Sequence, residues 1–542
     1  MKLNKYSIYL ILAVSTVSCT SFDDIVPQGG TMLEEQLHHV IEELPERAES
    51  IFTGMYTNLG KPIAASAPLD FGFTYVQISN DFEGADIVMA DNDYNWFSAC
   101  FQLNSRNGDY VIPYNRYKIT YNIIADANKV ILTYANANGN QENLQKIAQA
   151  RVIRAFAYLH LVPYYQFSYA TSLDKPCVPI VTEHTTNFVD NPRASVQDVY
   201  DLILSDLKFA IEALEGFSRS DKSRIDQKVA YALRARTYLY MGKGAEAAAD
   251  AEKAMEGFVP ASISDISKLA FCSIDEANWI WGYRMDEELS KNAPFATSTS
   301  WIRSFSSISY TGIGQLYARI NSLLYNKIPT TDVRKGWWVN EELQSPILES
   351  LSWTLADGSI VKGNQIATLE IPDTKTEFLP YTNVKFGVKT LGTTLNNEDW
   401  PWIRVEEMIL TQAEGYLLDG NEGKARLILD NFIKTFRDPK YDSQMSGRTL
   451  RDEIWFQRRV ELWGEGFFNA DARRMEKPIV RFHADDKGSF PEKFRFNVAS
   501  DDQWLLYRFP KMELNNNSID DNTGGSLPIQ DQNPGLRDGV TD

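Results

Sequence analysis

Residues 148–165, AQARVIRAFAYLHLVPYY, place the strongest constraint on the fold, because a helix of this sequence carries two opposite apolar faces. One face consists of Ala148, Val152, Ala155, Phe156, Leu159 and Val162, and the other of Ala150, Ile153, Ala157, Leu161 and Tyr164. A helix with two apolar faces needs a neighbouring helix on each side. Pro163 removes a backbone donor, so we expect the helix to kink or end near Val162. The segment predicts the inner helix of a stacked helical array.

Arg154 lies in the narrow strip between these two faces. A guanidinium group held between buried faces is costly unless a carboxylate compensates its charge. We therefore expect Arg154 to pair with an acidic residue, and Asp206 and Glu212 are the two candidates.

Helical periodicity extends over much of the chain. The predicted helices cover residues 48–59, 113–136, 142–166, 195–215, 226–241, 244–256, 400–419, 421–436 and 449–463. Ser195, followed three residues later by Asp198, predicts a capping box at the start of one helix. Residues 60–112 and 257–399 are rich in turn-forming residues, and we expect them to be non-helical or irregular, with short strands such as 382–388.

An internal repeat links the two helical regions. Ala235, Tyr238, Leu239, Gly242 and Ala247 recur 178 residues later as Ala413, Tyr416, Leu417, Gly420 and Ala425. Each copy predicts a helix, a glycine turn and a second helix with small residues where the helices cross, which is a tetratricopeptide-like layout. The separation is far longer than one 34-residue repeat. Residues 257–399 are therefore predicted to be an insert between the two copies.

The N-terminus has the features of a secretory signal. Lys2 and Lys5 precede an apolar run at residues 6–14, which is too short to span a membrane. Small residues then lead to Cys19, an arrangement that resembles a bacterial lipoprotein signal in which the cysteine is lipidated. We predict a signal peptide at 1–18 and a lipidated tether at 19–32. An ordinary cleaved signal with an incidental Cys19 is the alternative.

Composition excludes several functions. The formal net charge of −18 repels nucleic-acid phosphates, so we expect no nucleic-acid partner. Cys100, Cys177 and Cys272 form no zinc pattern, permit one disulfide at most and are expected to be buried. The chain contains no HExxH, GxSxG, phosphate-loop or calcium-loop motif, so the sequence indicates neither a cofactor nor an enzyme. Paired catalytic carboxylates remain open, because their separation is a structural quantity.

Several short motifs, in order along the chain, carry a family resemblance. They are Cys19; Arg151, Arg154, Ala155, Phe156, Tyr158 and Leu161; Val178-Pro179-Ile180-Val181; Arg193, Ser195, Val199, Tyr200, Ile203, Asp206 and Leu207; Arg458, Arg459, Glu461, Leu462, Gly464, Glu465, Gly466, Asp471 and Arg474; Arg508-Phe509-Pro510; Glu513 and Asn515; and Gln532-Asn533-Pro534-Gly535. Together they resemble the SusD/RagB family of Bacteroidetes outer-membrane lipoproteins. Gln457 and Phe468 depart from the pattern, where the family has a glutamate and an arginine.

The resemblance implies a mainly α fold with a tetratricopeptide-like platform at about 41–256 and 400–476. An irregular ligand-face insert at about 257–399, containing short strands, and a C-terminal tail at 477–542 would complete a domain spanning 33–542. It also implies an outward-facing protein anchored in the outer membrane through lipid on Cys19. Its expected partners are a SusC-like TonB-dependent transporter and a captured oligosaccharide or polysaccharide.

Two non-helical segments offer the aromatic and polar side chains that glycan binding needs. The candidate ligand-binding residues are Asp81, Asn92, Asp93, Trp96, Tyr283 and Trp301. The resemblance favours Trp96, since the family often places binding aromatics in the loop before the next long helix. Core packing is the competing interpretation for each ring, and for Trp337 and Trp338 it is the preferred one. Glu461 and Glu465 are expected to form helix-surface ion pairs with Arg458 and Arg459.

We therefore predict a non-catalytic glycan-binding lipoprotein that delivers oligosaccharides to a TonB-dependent transporter. A peptide-capturing member of the same family is the alternative within the binding class. A surface glycoside hydrolase and a purely structural helical-repeat adaptor are the alternatives from other classes.

Overall fold

The computed structural model describes residues 46–62, 70–91, 97–135 and 140–542. Residues 51–542 form one compact unit, and of residues 1–50 only 46–50 are described. The predicted signal peptide, Cys19 and the tether lie outside the described residues. In chain order the α-helices are α1 Glu46–Asn58, α2 Phe73–Phe82, α3 Ser98–Gln102, α4 Val111–Tyr134, α5 Gln141–Tyr165, α6 Tyr169–Ser172, α7 Val196–Ala213, α8 Gln227–Tyr240, α9 Gly244–Met255, α10 Ile263–Ile266, α11 Glu287–Asn292, α12 Ser298–Ile302, α13 Tyr310–Ile313, α14 Ser322–Lys327, α15 Pro346–Glu349, α16 Val405–Leu418, α17 Glu422–Phe436, α18 Leu450–Glu461, α19 Phe468–Arg474 and α20 Lys511–Asn516.

The strands are short and form two-stranded antiparallel sheets. They are β1 Ile87–Val88, β2 Pro176–Pro179, β3 Arg193–Ser195, β4 Trp279–Tyr283, β5 Arg319–Ile320, β6 Ser352–Thr354, β7 Ile360–Lys362 and β8 Trp400–Arg404. The pairs are β1 with β5, β2 with β3, β4 with β8, and β6 with β7. The predicted mainly α fold with short strands is confirmed.

Helix α5 is the inner helix that its two apolar faces predict. It packs against α4 and α7, and the apolar residues of both faces are buried. Its start is capped by the Asn140 side chain, which accepts a hydrogen bond from the backbone N–H of Glu142 at 2.9 Å. The helix continues past Pro163 and ends at Tyr165. It does not end near Val162, because the Gln166 N–H still donates to the Val162 carbonyl at 2.9 Å.

The helical stack continues from α7 through α8 and α9 directly to α16, which also packs against α17 and α18. The two copies of the internal repeat are α8–α9 and α16–α17, and their turn residues Gly242 and Gly420 have φ of 73° and 78°. Gly244 on α9 faces Gly415 on α16 so closely that a Cβ on Gly415 would lie 2.6 Å from the Gly244 carbonyl oxygen. The predicted small-residue crossing is confirmed, and α9 packs directly on α16 although the chain forms many short elements between them.

A two-stranded stem closes the inserted segment. Strand β4 pairs with β8 so that Tyr283 lies opposite Trp400 and Trp279 opposite Arg404. Both strands are entirely buried. Because β8 leads straight into α16, the predicted helix at 400–419 begins only at Val405. Between the two strands the helices are no longer than six residues, as the sequence predicts.

Residues 60–112 differ from the non-helical prediction, since they contain α2 and α3. All ten residues of α2 are buried. A helix surrounded on all sides carries no alternation of polar and apolar faces, so its periodicity is weak in the sequence. The predicted capping box is confirmed: the Asp198 N–H donates to the Ser195 hydroxyl at 3.0 Å, and the Ser195 N–H donates to the Asp198 carboxylate at 3.2 Å.

No helix in the described ranges combines the length and apolarity that membrane crossing requires. Cys100 and Cys177 are buried and Cys272 is half-buried, and these three thiols are unpaired.

Candidate functional site

Three of the predicted ligand-binding residues, Asn92, Asp93 and Trp96, lie outside the described residues. The other three can be placed, and all of them are buried. The role of each of these three residues therefore depends on what it contacts in the interior.

Asp81 on α2 is an interior capping residue and does not face a ligand. Its carboxylate accepts hydrogen bonds from the backbone N–H groups of Gly466 at 2.8 Å and Phe468 at 2.9 Å. Burial raises the pKa of Asp81 to about 7, although these two hydrogen bonds oppose the shift. The adjoining cavity, lined also by Asp86 and Arg459, measures about 10 Å³, which is too small for a sugar.

Tyr283, the last residue of β4, is 6% exposed and packs against Trp402, with the ring centroids 5.7 Å apart. A Cβ on Gly60 would lie 2.0 Å from the Tyr283 ring. Gly60 therefore permits a close approach of chain and ring that any other residue would block. Tyr283 is a packing residue of the stem in this structure.

Trp301 on α12 is fully buried and is the base of an aromatic stack that leads to the surface. Its ring lies edge-on to Phe97, with the centroids 4.8 Å apart, and parallel to Tyr310, with the centroids 4.7 Å apart and an interplanar angle of 10°. Tyr310 in turn contacts Phe295 at 4.8 Å. Tyr310 and Phe295 are only half-buried, so these two residues, unlike Trp301, retain solvent-accessible surface. We call Phe97, Trp301, Tyr310 and Phe295 the aromatic stack.

Hydrogen bonds fix the two loops that carry the exposed rings. The buried Asn396 amide donates to the carbonyl oxygens of Pro294 and Ile308, both at 2.8 Å. The Tyr310 N–H donates to the Ser300 hydroxyl at 3.1 Å. The Asn396 amide therefore fixes the position of Pro294, which precedes Phe295, relative to the loop that precedes Tyr310. A preformed pair of rings loses little conformational entropy when a ligand binds.

Neither Phe295 nor Tyr310 is among the six ligand-binding residues predicted from the sequence. The available signal was local: Phe295 follows Asn292-Ala293-Pro294, a turn-forming segment, and Tyr310 follows three serines at positions 306, 307 and 309. Phe97 adjoins Trp96 in sequence. The structure thus brings the end of the first predicted segment against the ring that the second segment supplies.

Glu461 and Glu465 correct a prediction, because they are buried and do not form helix-surface pairs. Glu461 accepts from Arg437 at 2.7 Å and from Arg404 at 3.2 Å, and Glu465 accepts from Arg404 at 2.8 Å and Lys385 at 2.7 Å. Burial opposes ionisation of Glu461, but Arg437 and Arg404 hold its pKa below the ordinary value. These ion pairs join α18 to the stem and the insert. Their role is structural.

Trp337 and Trp338 are buried as the sequence predicts, and the Trp337 indole donates to the Ile266 carbonyl at 3.1 Å. Two open clefts lie elsewhere on the insert. One, of about 490 Å³, is mixed in polarity and includes Tyr325, Lys335 and Asn340. The other, of about 510 Å³, is mainly apolar and includes Val259, Ile266, Leu269, Phe271 and Phe436.

Comparison with known proteins gives one family match. Residues 46–239 match the model of a SusD-like family described as "Starch-binding associating with outer membrane". No curated protein matches this chain.

Solved structures share the fold over nearly their whole length. A SusD-like carbohydrate-binding protein from Bacteroides vulgatus is similar at 22% identity, covering 87% of this chain and 96% of its own, with a TM-score of 0.68. A laminarin-binding SusD-like protein covers 88% and 99% at 19% identity, with a TM-score of 0.60. Surface glycan-binding protein A from Bacteroides thetaiotaomicron, in complex with laminarihexaose, covers 88% and 99% at 16% identity, with a TM-score of 0.61. The predicted family resemblance is confirmed.

Proposed function

From this SusD-like fold and the family match, we propose that the chain is a cell-surface lipoprotein that binds glycans. It captures oligosaccharides outside the cell and delivers them to a partner TonB-dependent outer-membrane transporter, without cleaving them. The lipid on Cys19 would hold it at the outer membrane.

The aromatic stack is the observation that carries the binding function. The C–H faces of a sugar ring pack well on aromatic rings, and such contacts exclude water. Tyr310 and Phe295 are half-buried, and the buried rings of Trp301 and Phe97 support them through the contacts between Tyr310 and Trp301 and between Trp301 and Phe97. The two buried rings hold the two half-buried rings in place. A surface tyrosine without such support would be mobile and would not form a rigid platform.

Trp96, with Asn92 and Asp93 beside it, completes the proposed face from the other segment. Trp96 precedes Phe97 directly, and Phe97 contacts Trp301. In this proposal Trp96 stacks on the ligand, and the amide and carboxylate of Asn92 and Asp93 bind sugar hydroxyl groups.

The test is a titration of the purified protein with a panel of soluble glycans that includes laminarin, starch and xylan oligosaccharides. Tyr310→Ala should weaken binding by roughly thirtyfold, which corresponds to about 2 kcal/mol for one stacking ring. Tyr325→Ala is the matched control, because Tyr325 is a half-buried tyrosine in the mixed-polarity cleft. Equal affinities of the two variants would contradict this binding face.

The same panel separates the alternatives. Release of reducing ends from a bound glycan would indicate a glycoside hydrolase. A failure to bind any glycan, together with binding of peptides, would favour peptide capture, for which the mainly apolar cleft of about 510 Å³ offers space. Binding of the transporter without any free ligand would indicate a structural adaptor.

A further inference from the structure

Arg319 is a partly buried cation for which the described residues supply no compensating charge. It begins β5, where it lies opposite Val88 of β1, and it forms a second bridge with Thr382. Its Nε is buried without a hydrogen-bond partner, and within the described part of the chain no carboxylate pairs with its guanidinium. Burial alone lowers the pKa of Arg319 to about 10.

The acidic residues near β1 already have other partners. Asp86, immediately before β1, accepts from Arg459 at 2.6 and 3.0 Å. Asp91, three residues after Val88, pairs with Lys493 at 2.7 Å. In the described residues each of these two carboxylates thus pairs with a cation other than Arg319.

Several other buried arginines have closer partners, although Arg473 resembles Arg319, since its Nε and Nη1 are buried without hydrogen-bond partners and its Nη2 donates to the Leu505 carbonyl. Arg334 pairs with Asp332 at 2.6 Å, and Arg404 pairs with Glu465 at 2.8 Å. Arg303 has no carboxylate pair but donates to three backbone carbonyl groups. A guanidinium that loses water without gaining such partners destabilises the folded protein. A bound anion would supply the missing partner.

Both strands beside Arg319 lead to the aromatic stack. Five residues separate the end of α13, the helix that Tyr310 begins, from Arg319. The paired strand β1 runs on to Asp91, and the chain returns to the stack at Phe97. Arg319 and the half-buried rings therefore lie on segments that either adjoin along the chain or pair as strands.

We propose that Arg319 binds the acidic group, a carboxylate or a sulfate, of an anionic glycan whose sugar ring packs on the aromatic stack. This inference rests on the proposed function and names its ligand class. The planar guanidinium suits both groups, because it can donate two parallel hydrogen bonds to either. The protein carries a net charge of −18, so a local cation is needed to hold an acidic sugar against the general repulsion.

The first experiment needs no ligand. Arg319→Met keeps most of the side-chain volume and removes the charge, so its melting temperature should equal or exceed that of the wild type. Arg334→Met is the matched control, since it leaves Asp332 buried without its cation and should lower the melting temperature strongly. A large fall for Arg319→Met would make Arg319 a structural residue and overturn the proposal.

The second experiment titrates the wild type with pairs of glycans that differ only in charge. Oligogalacturonate is compared with its full methyl ester, and chondroitin sulfate with chemically desulfated chondroitin. The wild type should bind one acidic member at least tenfold more tightly than its uncharged or desulfated counterpart, and the pair that responds identifies the carboxylate or the sulfate. Arg319→Met should lose at least tenfold for that member, while Arg319→Lys retains part of the preference.

The outcomes separate this inference from the proposed function. Binding of neutral glycans that depends on Tyr310, with no preference for an acidic member, overturns the role of Arg319 and leaves glycan capture intact. If Arg319→Met still prefers the acidic glycan over its uncharged counterpart, the proposed role of Arg319 is also overturned. Absence of binding to every acidic and neutral glycan contradicts the proposed function itself, and the inference falls with it.

Discussion

Arg154 on α5 and Asp206 on α7 are joined by two parallel hydrogen bonds, from Nε to Oδ2 and from Nη2 to Oδ1, both 2.8 Å long. Arg154 also donates to the Asn128 side chain on α4 at 2.7 Å and to the carboxylate of Glu183. Burial raises the pKa of Glu183, but Arg154 more than offsets this and holds it below the ordinary value. One guanidinium therefore ties the central helix to both neighbours. Of the two candidates proposed from sequence, Asp206 is confirmed as the partner.

Arg154→Ala should lower the free energy of unfolding by about 3–5 kcal/mol, because Asp206 would remain buried without its hydrogen-bonded cation, and Arg151 approaches it only to 3.9 Å. Thermal or urea unfolding measures the loss. Lys253→Ala is the control, since Lys253 pairs with Glu256 at 2.8 Å on the exposed face of α9 and should leave the melting temperature unchanged. A melting temperature of Arg154→Ala within one degree of wild type would rule out a stabilising role for the pair.

The buried amine of Lys375 should make the free energy of unfolding depend on pH. Its amine is buried, donates to the carbonyls of Leu369 and Thr376 at 3.0 and 3.3 Å, and lies 4.5 Å from the Phe378 ring centroid. Burial lowers the pKa of Lys375 to about 7. Below pH 7 the folded state carries the full cost of the buried charge. Between about pH 7 and 10.4 the folded state has released the proton while the unfolded state retains it, so this term stabilises as the pH rises.

Lys375→Met removes that term, so the stability of the variant relative to wild type should be greatest at acid pH. The advantage should fall by about 2–3 kcal/mol between pH 5.5 and pH 9. Denaturant unfolding of both proteins at the two pH values measures the change. The loss of the two carbonyl hydrogen bonds is the same at both values and cancels. A pH-independent difference would show that Lys375 is charged throughout this range in the folded protein.

The crossing of α9 and α16 predicts opposite effects for two glycines. Gly415→Ala should destabilise by about 1–3 kcal/mol, because the new Cβ would meet the Gly244 carbonyl oxygen at 2.6 Å and force the helices apart. Gly423→Ala should instead stabilise by about 0.5–1 kcal/mol, because Gly423 lies in α17 with nothing within 4 Å of the new Cβ. Equal stability changes for the two variants would contradict the close crossing.

Trp96 is tested by comparing binding with stability. If it stacks on the ligand, Trp96→Ala should weaken a micromolar glycan site by about a hundredfold with little change in melting temperature. Trp301→Ala serves as the core control and should lower the free energy of unfolding by about 3–5 kcal/mol, because Trp301 is fully buried. A Trp96→Ala protein that melts early but binds normally when folded would place Trp96 in the core as well.

Cys19→Ala should release the protein from membranes in soluble form if Cys19 carries lipid. A single acyl chain binds a membrane only marginally, so firm attachment of the wild type implies more than one chain. Fractionation of cells expressing each protein measures retention. Cys272→Ala, which alters a half-buried thiol in the insert, should remain membrane-bound. Retention of Cys19→Ala would contradict the lipoprotein assignment.

The helical platform was predictable from sequence because its signals are local. The two faces of α5, the capping box of Ser195 and Asp198, and the turn glycines Gly242 and Gly420 all depend on residues within a few positions of each other. Such patterns survive in any arrangement of the helices. Even the partner of Arg154 could be narrowed to two residues, since α5 and α7 are consecutive long helices.

The candidate site was only partly predictable, because burial there depends on contacts between distant segments. Trp301 and Tyr310 are both aromatic residues in a turn-rich segment, yet Trp301 is fully buried and Tyr310 is only half-buried. Glu461 is in a helix sequence that suits a surface pair, but Arg404 and Arg437 approach it from other elements. The residues close in sequence to Trp301, Tyr310 and Glu461 do not indicate these tertiary contacts.

The sequence by itself therefore determined the stacked helices and their turn residues, because these follow from spacing along the chain, and its ordered motifs carried the family resemblance. The tertiary structure decided which aromatic rings reach the surface and which charges are paired. Arg319 meets Val88 across more than two hundred residues of sequence, and the described acidic residues beside β1 pair with other cations. Desolvation and pairing are properties of that assembled surrounding, so they become readable only when the chain has folded.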